Sequence, residues 1–273
     1  MIIDSHLHLR QLCSKDKNCV DFIQSNDHYS ICSCHSDNDL KAADDFAQIK
    51  NNIKKMFFTS YGVHPFDNDI SKLEKVEFLA EEKKIDAIGE AGLDRFTPEL
   101  NSTIKNQMEI FSAQIDIAKK HSIPIVLHVR KAVEELFSFC DKLAKIPSVI
   151  FHCYSGTFEE AEYILNKRVN GYFSFGTPIV NGNKKAVKTL FQLPLERILL
   201  ETDAPYQPFK GKTYSEASDI LKIYALAAKI KNIGEQHLKE KIFNNFQNIF
   251  DKQSQLNTNH RVVPDKTEKK NGF

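Results

Sequence analysis

The chain has 273 residues, 41% of them hydrophobic, enough to bury a sizeable core. Its 37 basic and 36 acidic residues leave a net charge of +1, so no global field advertises a nucleic-acid partner, and only a local basic rim stays open to one. No apolar run approaches the roughly 18 residues that span a bilayer, and the N-terminus shows no signal-peptide pattern.

Six cysteines occur without a C-x-x-C pair, which suits free thiols in a reducing compartment. The expectation is a cytoplasmic protein with no membrane contact and no obligate protein partner. The length would fit two average domains, but α/β barrels of this size commonly fold as one.

In chain order, short β-rich runs alternate with amphipathic stretches. Strands are expected at Ile2–His8, Tyr29–Cys34, Met56–Val63, Ala87–Glu90, Pro124–His128, Val149–Cys153, Gly171–Phe175 and Ile198–Glu201. Apolar residues at three-and-four spacing predict helices over Leu40–Ile49, Ile70–Lys83, Thr103–His121, Val133–Leu143, Phe158–Asn166 and Lys184–Leu193. The period is weakest in the Gln11–Gln24 connection. Ala217–Ile230 and His237–Phe250 add two more helices. Eight strand–helix units predict right-handed crossovers and a TIM-type (β/α)8 barrel, forming one domain over residues 1–250. Residues 251–273 are polar and aperiodic, which predicts a disordered tail.

Active sites of such barrels lie where the strands end. The opening run M-I-I-D-S-H-L-H-L-R turns from apolar to polar at Asp4, His6 and His8, which a strand would alternate onto one face. Two neutral imidazoles beside a carboxylate form half of a metal site. Later strand ends supply His64 in Y-G-V-H-P, Glu90 in A-I-G-E-A-G-L-D, His128 in P-I-V-L-H, His152 in V-I-F-H and Asp203 in I-L-L-E-T-D-A-P-Y. A single buried histidine is more often a satisfied core residue, but ligand-type side chains recurring at equivalent strand ends point to one shared site.

Glu90, flanked by Gly89 and Gly92, is of the right type to bridge two cations. Asp203 is placed to ligate an ion or to take a proton from water. His64, ahead of the turn-forming Pro65, is a candidate ligand, phosphate donor or general acid. Two divalent ions about 3.5–4 Å apart would polarise a phosphoryl oxygen, ionise a water and steady the leaving group. Arg95, Arg130, Lys131, Lys210 and Lys212 lie in or near the βα loops, where they would meet phosphates. Cys32-x-Cys34-His35 lacks the second pair that a zinc site needs and is given no metal role.

The runs D-S-H-L-H, Y-G-V-H-P, G-E-A-G-L-D, P-I-V-L-H-V-R-K-A, F-H-C-Y-S-G and L-L-E-T-D-A-P-Y carry a resemblance that extends from Met1 to about Phe250. In this order and spacing they resemble the TatD-related metal-dependent hydrolases, a branch of the amidohydrolase-type barrels. The resemblance implies His6, His8 and Asp203 on one ion, His128 and His152 on the other, and Glu90 between them. It also implies a catalytic His64 near the scissile phosphate, magnesium, manganese or zinc as the two ions, and DNase activity. That activity is typically 3′→5′ exonucleolytic on single-stranded DNA.

Two departures bear on substrate entry. Tyr214-Ser215-Glu216-Ala217-Ser218 replaces an Asn-Glu-Pro-like turn, and Arg95 follows Asp94 where an aromatic is usual. The alternatives are an amide or ester hydrolase, such as one that removes D-amino acids from tRNA, and an inactive scaffold. Glu90, standing where other branches carry a bridging lysine, disfavours the first. Retention of all seven ligand-type residues disfavours the second.

Overall fold

In the computed structural model, which describes residues 1–49 and 57–250, eight strands lie side by side in chain order. They are β1 (Ile2–Leu7), β2 (His28–Cys34), β3 (Phe57–Tyr61), β4 (Ala87–Asp94), β5 (Ile125–Arg130), β6 (Val149–Phe151), β7 (Gly171–Phe175) and β8 (Ile198–Leu200). Every neighbouring pair is parallel. The circle closes where the His8 amide donates to the Ala204 carbonyl (2.8 Å) and the Asp203 amide to the His6 carbonyl (3.0 Å). The eight parallel strands thus form the expected TIM-type barrel.

Helices fill the connections: α1 (Leu9–Lys15), α2 (Cys19–Ser25), α3 (Asp37–Ile49), α4 (Leu73–Glu81), α5 (Pro98–Ser102), α6 (Ile104–His121), α7 (Val133–Phe137), α8 (Cys140–Leu143), α9 (Phe158–Asn166), α10 (Thr177–Val180), α11 (Lys184–Gln192), α12 (Asp219–Lys231) and α13 (Glu235–Phe250). Strand side chains such as Ile31, Ile88, Val126, Ile150, Phe173 and Leu199 are fully buried, because a parallel sheet is covered on both faces. Each such side chain contributes about 1.5–3 kcal/mol through burial. α6 turns Ile110, Phe111, Ile115 and Ala118 inward at helical spacing. α9 starts on a capping box between Thr157 and Glu160. α12 is tied to β1 by Tyr224, whose hydroxyl donates to the Ile3 carbonyl (3.1 Å).

Several boundaries differ from expectation. β4 runs past Glu90 to Asp94, and its pairing with β5 shifts register between Ile88 and Ala91, so Glu90 stands inside a strand at a local irregularity. β5 likewise continues past His128. The Val133–Leu143 stretch breaks in two where the Ser138 hydroxyl takes the Glu135 carbonyl (2.6 Å), competing with the helical ladder. The Ile70–Lys83 stretch opens as a 3-10 turn over Ile70–Lys72, capped by Asp69. The Gln11–Gln24 connection forms α1 and α2, separated by an Asx turn in which Asp16 accepts from the Asn18 amide (2.9 Å). Met56 and the expected tail at residues 251–273 lie outside the described residues. Among those described, no helix is long and apolar enough to cross a membrane, and the six cysteines are free thiols.

Candidate metal centre

Glu90 occupies the middle of the C-terminal mouth of the barrel, 3% exposed. Its Oε2 lies 3.0 Å from His152 Nε2 and 3.8 Å from both His128 Nδ1 and His64 Nε2. Its Oε1 lies 3.4 Å from His6 Nε2, 3.6 Å from His8 Nε2 and 3.0 Å from His35 Nε2. Asp203 Oδ1 faces the same two N-terminal histidines, 3.7 Å from His6 Nε2 and 3.4 Å from His8 Nε2. All seven ligand-type residues expected from the sequence therefore converge within one small volume, and His35 joins them.

Local backbone features aim these side chains. β1 shifts register between Asp4 and Leu7, which separates Asp4 from the histidines it was expected to join. Asp4 is instead an anchor for the end of β8. It accepts from the Thr202 amide (3.0 Å) and hydroxyl (2.7 Å), and burial pushes its pKa up to about 7. Gly92 lets β4 press against β5: with φ at 142°, a Cβ there would lie 2.0 Å from the His128 carbonyl oxygen. That approach brings Glu90 and His128 to one site.

A second layer sets which ring nitrogen faces inward. Asp94 Oδ2 sits 2.9 Å from His128 Nε2, so Nδ1 is turned to the centre. Burial would raise the Asp94 pKa, but the bond to His128 outweighs it and holds the carboxylate low. Glu201 Oε1 accepts from the Cys153 amide (2.6 Å) and lies 3.5 Å from His152 Nδ1. His64 Nδ1 accepts from the Phe66 amide (3.1 Å), which places the proton on Nε2. Burial above all lowers the His64 pKa to about 3, so this ring is neutral. Glu90 is held well below the usual carboxylate range, its burial being outweighed by His6 and His152. His152 is raised well above the usual imidazole value, since Glu90 and Glu201 outweigh its burial.

Buried polar atoms test whether a cation belongs here. His6 Nε2, which faces Glu90 and Asp203, is buried without a hydrogen-bond partner. Such atoms are costly to bury unless something supplies the missing contact. Four triads have donor atoms within 4.8 Å of one another: His6–His8–Asp203, His6–Glu90–His152, His8–His35–Glu90 and His64–Glu90–His128. Imidazoles and carboxylates at this spacing are the donors that divalent ions take, so the residues fit a metal centre.

The centre opens into a cavity of about 710 Å³, lined among others by His35, His64, Phe66, Arg130 and Tyr206. Phe66 and Tyr206 are 61% and 45% exposed. Of the five basic residues expected at the rim, Arg130 alone lines the cavity, its guanidinium 3.3 Å from the centroid of the Phe96 ring. Lys131 sits over the same ring at 4.5 Å. Arg95 is engaged by Glu135 and by Asn101 (2.7 Å), and Lys212 by Glu216 (2.8 Å) and Asp219 (2.7 Å), so carboxylates of the protein already answer their charge. The Lys210 amide donates to Asn181 Oδ1 (2.9 Å), and the residue is exposed.

Sequence reasoning set His35 aside together with Cys32 and Cys34, and missed Asp94 and the placement of Glu201. His35 follows the last residue of β2 and carried the same strand-end signal as the others. Asp94 stood inside the G-E-A-G-L-D run, and Glu201 beside Thr202 and Asp203.

The family model described as TatD related DNase matches residues 3–251. The chain is 31% identical over 201 residues to YabD of Bacillus subtilis, an uncharacterized metal-dependent hydrolase, covering 71% of this chain and 77% of that protein. It is 31% identical over 206 residues to the 3′-5′ ssDNA/RNA exonuclease TatD of Enterobacter lignolyticus, with the same 71% and 77% coverage. The crystal structure of YjjV, a TatD homologue from Escherichia coli, superposes with a TM-score of 0.77 at 21% identity, covering 91% of this chain and 97% of that one. The chain belongs to the TatD related DNase family and is a metal-dependent hydrolase.

Proposed function

We propose that this enzyme is a phosphodiesterase that shortens single-stranded DNA from its 3′ end, using two divalent ions, magnesium, manganese or zinc. The observation that carries the proposal is Glu90, whose two oxygens face separate sets of imidazoles on the floor of a cavity walled by Arg130. In this reading His6, His8 and Asp203 would hold one ion, His128 and His152 the other, and Glu90 would serve both. A relative named as a 3′-5′ ssDNA/RNA exonuclease supports the strandedness and polarity.

Bound divalent ions supply charge that polarises a phosphoryl oxygen and acidifies a water. The chain's own residues supply the rest. Asp203 stays ionised, because its histidine neighbours outweigh its burial, and is a proton acceptor for the attacking water. Neutral His64 donates its Nε2–H to a phosphate oxygen as negative charge builds there. Arg130, seated over the Phe96 ring, holds a flanking phosphate. Phe66 and Tyr206 offer exposed ring faces on which bases stack. With one arginine at the cavity and a net charge of +1, the footprint is short and binding weakens only modestly with salt.

The test is one panel with each metal: single-stranded DNA labelled at either end, duplex DNA, RNA, D-aminoacyl-tRNA and simple amides. Stepwise shortening of single-stranded DNA from the 3′ end is expected. Turnover of the aminoacyl ester or an amide, with every polynucleotide intact, overturns the proposal.

A further inference from the structure

His35 stands one residue past the end of β2, on a strand that none of the ligand assignments above uses. Its Nε2 is 3.0 Å from Glu90 Oε1. Bonds of about 2.0–2.2 Å place two donors on one ion roughly 3–4 Å apart, so the pair already stands at coordination spacing. The His35 ring lies nearly parallel to that of His8, tilted by 24° with centroids 5.5 Å apart, and the donor atoms of His8, His35 and Glu90 cluster within 4.8 Å. The side chain is 31% exposed and faces the cavity that the centre opens into.

Two observations separate this arrangement from a simple hydrogen bond to Glu90. First, Oε1 already has a donor, the Ser33 hydroxyl at 2.9 Å, so His35 is not needed to satisfy it. Second, the segment that carries His35 is built rigidly. Asp39, 4% exposed, accepts from the His35 amide (3.1 Å), the Ser36 hydroxyl (2.7 Å), Arg10 Nε (2.6 Å) and Gln11 Nε2 (3.1 Å). Arg10 and Gln11 belong to α1, which begins directly after His8. One buried carboxylate thus fixes the His8 and His35 backbones relative to each other, the preorganisation a metal ligand requires.

We infer that His35 is a further metal ligand, joining His8 and Glu90 Oε1 to hold the ion on that side of the centre. The inference rests on the two-ion reading above and adds a donor to it, not a third ion. Its chemical consequence is selectivity. An added neutral imidazole favours zinc or cobalt, whereas magnesium prefers carboxylate and water oxygens. The Oε1 side is therefore the zinc-preferring half of the centre.

The test strips the full-length protein with a chelator and titrates it with Co²⁺, followed by visible absorption. Zn²⁺ and Mg²⁺ affinities are measured by competition with a chromophoric chelator. Wild type is compared with His35→Ala, His35→Gln and Asp203→Ala, each checked for folding by circular dichroism. Both His35 variants are expected to bind the same number of ions, with one Zn²⁺ about tenfold or more weaker, an altered Co²⁺ spectrum and near-unchanged Mg²⁺ binding. Wild-type affinity and spectrum in His35→Gln would make His35 a hydrogen-bond donor to Glu90 and overturn the inference. Unchanged binding in both His35 variants, with loss in Asp203→Ala, would overturn it while sparing the two-ion reading. No Co²⁺ or Zn²⁺ uptake by wild type would overturn both.

Discussion

His128 Nε2 lies 2.9 Å from Asp94 Oδ2, and this one contact decides which ring nitrogen faces the centre: Nδ1, 3.2 Å from His152 Nε2 and 3.8 Å from Glu90 Oε2. Asp94 also accepts from the Phe96 amide (2.7 Å), so its own orientation is fixed by the turn that follows β4. Replacing Asp94 with Ala should let the ring change tautomer and rotate, lowering metal affinity about 10–100-fold. Metal retained after dialysis against a buffered free-zinc series measures this, and retention equal to wild type would leave Asp94 a purely structural cap.

Glu90→Gln keeps the shape of the side chain and removes its charge. In the two-ion reading proposed above, turnover should fall about 10²-fold or more, since the side chain would no longer neutralise cations held on either side of it. Because Glu90 is buried inside β4, Gln is a safer probe than Ala, which would leave the surrounding imidazoles beside a void. Near-normal turnover with an unchanged circular dichroism spectrum would make Glu90 a bystander.

Asp203 and His64 should separate by their readouts. Asp203→Ala removes a carboxylate 3.4 Å from His8 Nε2 and should lower metal content. His64 carries its proton on Nε2 and is turned to the centre as a donor, so His64→Ala should keep the metals and slow turnover about 10²-fold. An equal loss of metal in both variants would make His64 a ligand.

Metal binding should also appear as stability. A ligand that binds only the folded state at 100 times its Kd adds about 2.7 kcal/mol. Chelation should therefore abolish activity and lower the unfolding temperature, and added zinc or manganese should restore both. Thermal melts that ignore chelator would argue against a resident ion.

Gly92→Ala should be severe for a geometric reason. The new Cβ would meet the His128 carbonyl at 2.0 Å in a backbone region that side chains avoid, with φ at 142°. A loss of about 3 kcal/mol is expected in urea unfolding. A change below about 1 kcal/mol would mean that β4 and β5 can separate freely at this point.

The sequence by itself determined the alternation of strands and helices, the barrel, and the strand-end positions of His6, His8, His64, Glu90, His128, His152 and Asp203. Those features are local: a period of two or of 3.6, and ligand-type side chains where apolar runs stop. Tertiary structure alone decided the rest, because the deciding partners are remote in the chain. His35 meets Glu90 across 55 positions and His128 meets Asp94 across 34, pairings that no local period encodes. Asp4 shares the spacing of His6 and His8, yet 198 residues later Thr202 claims its carboxylate. Arg95 and Lys212 look like free rim charges in the sequence until Glu135 and Asp219 fold against them. A strand end specifies which chemical groups reach the mouth of the barrel; closure of the circle specifies which of them touch.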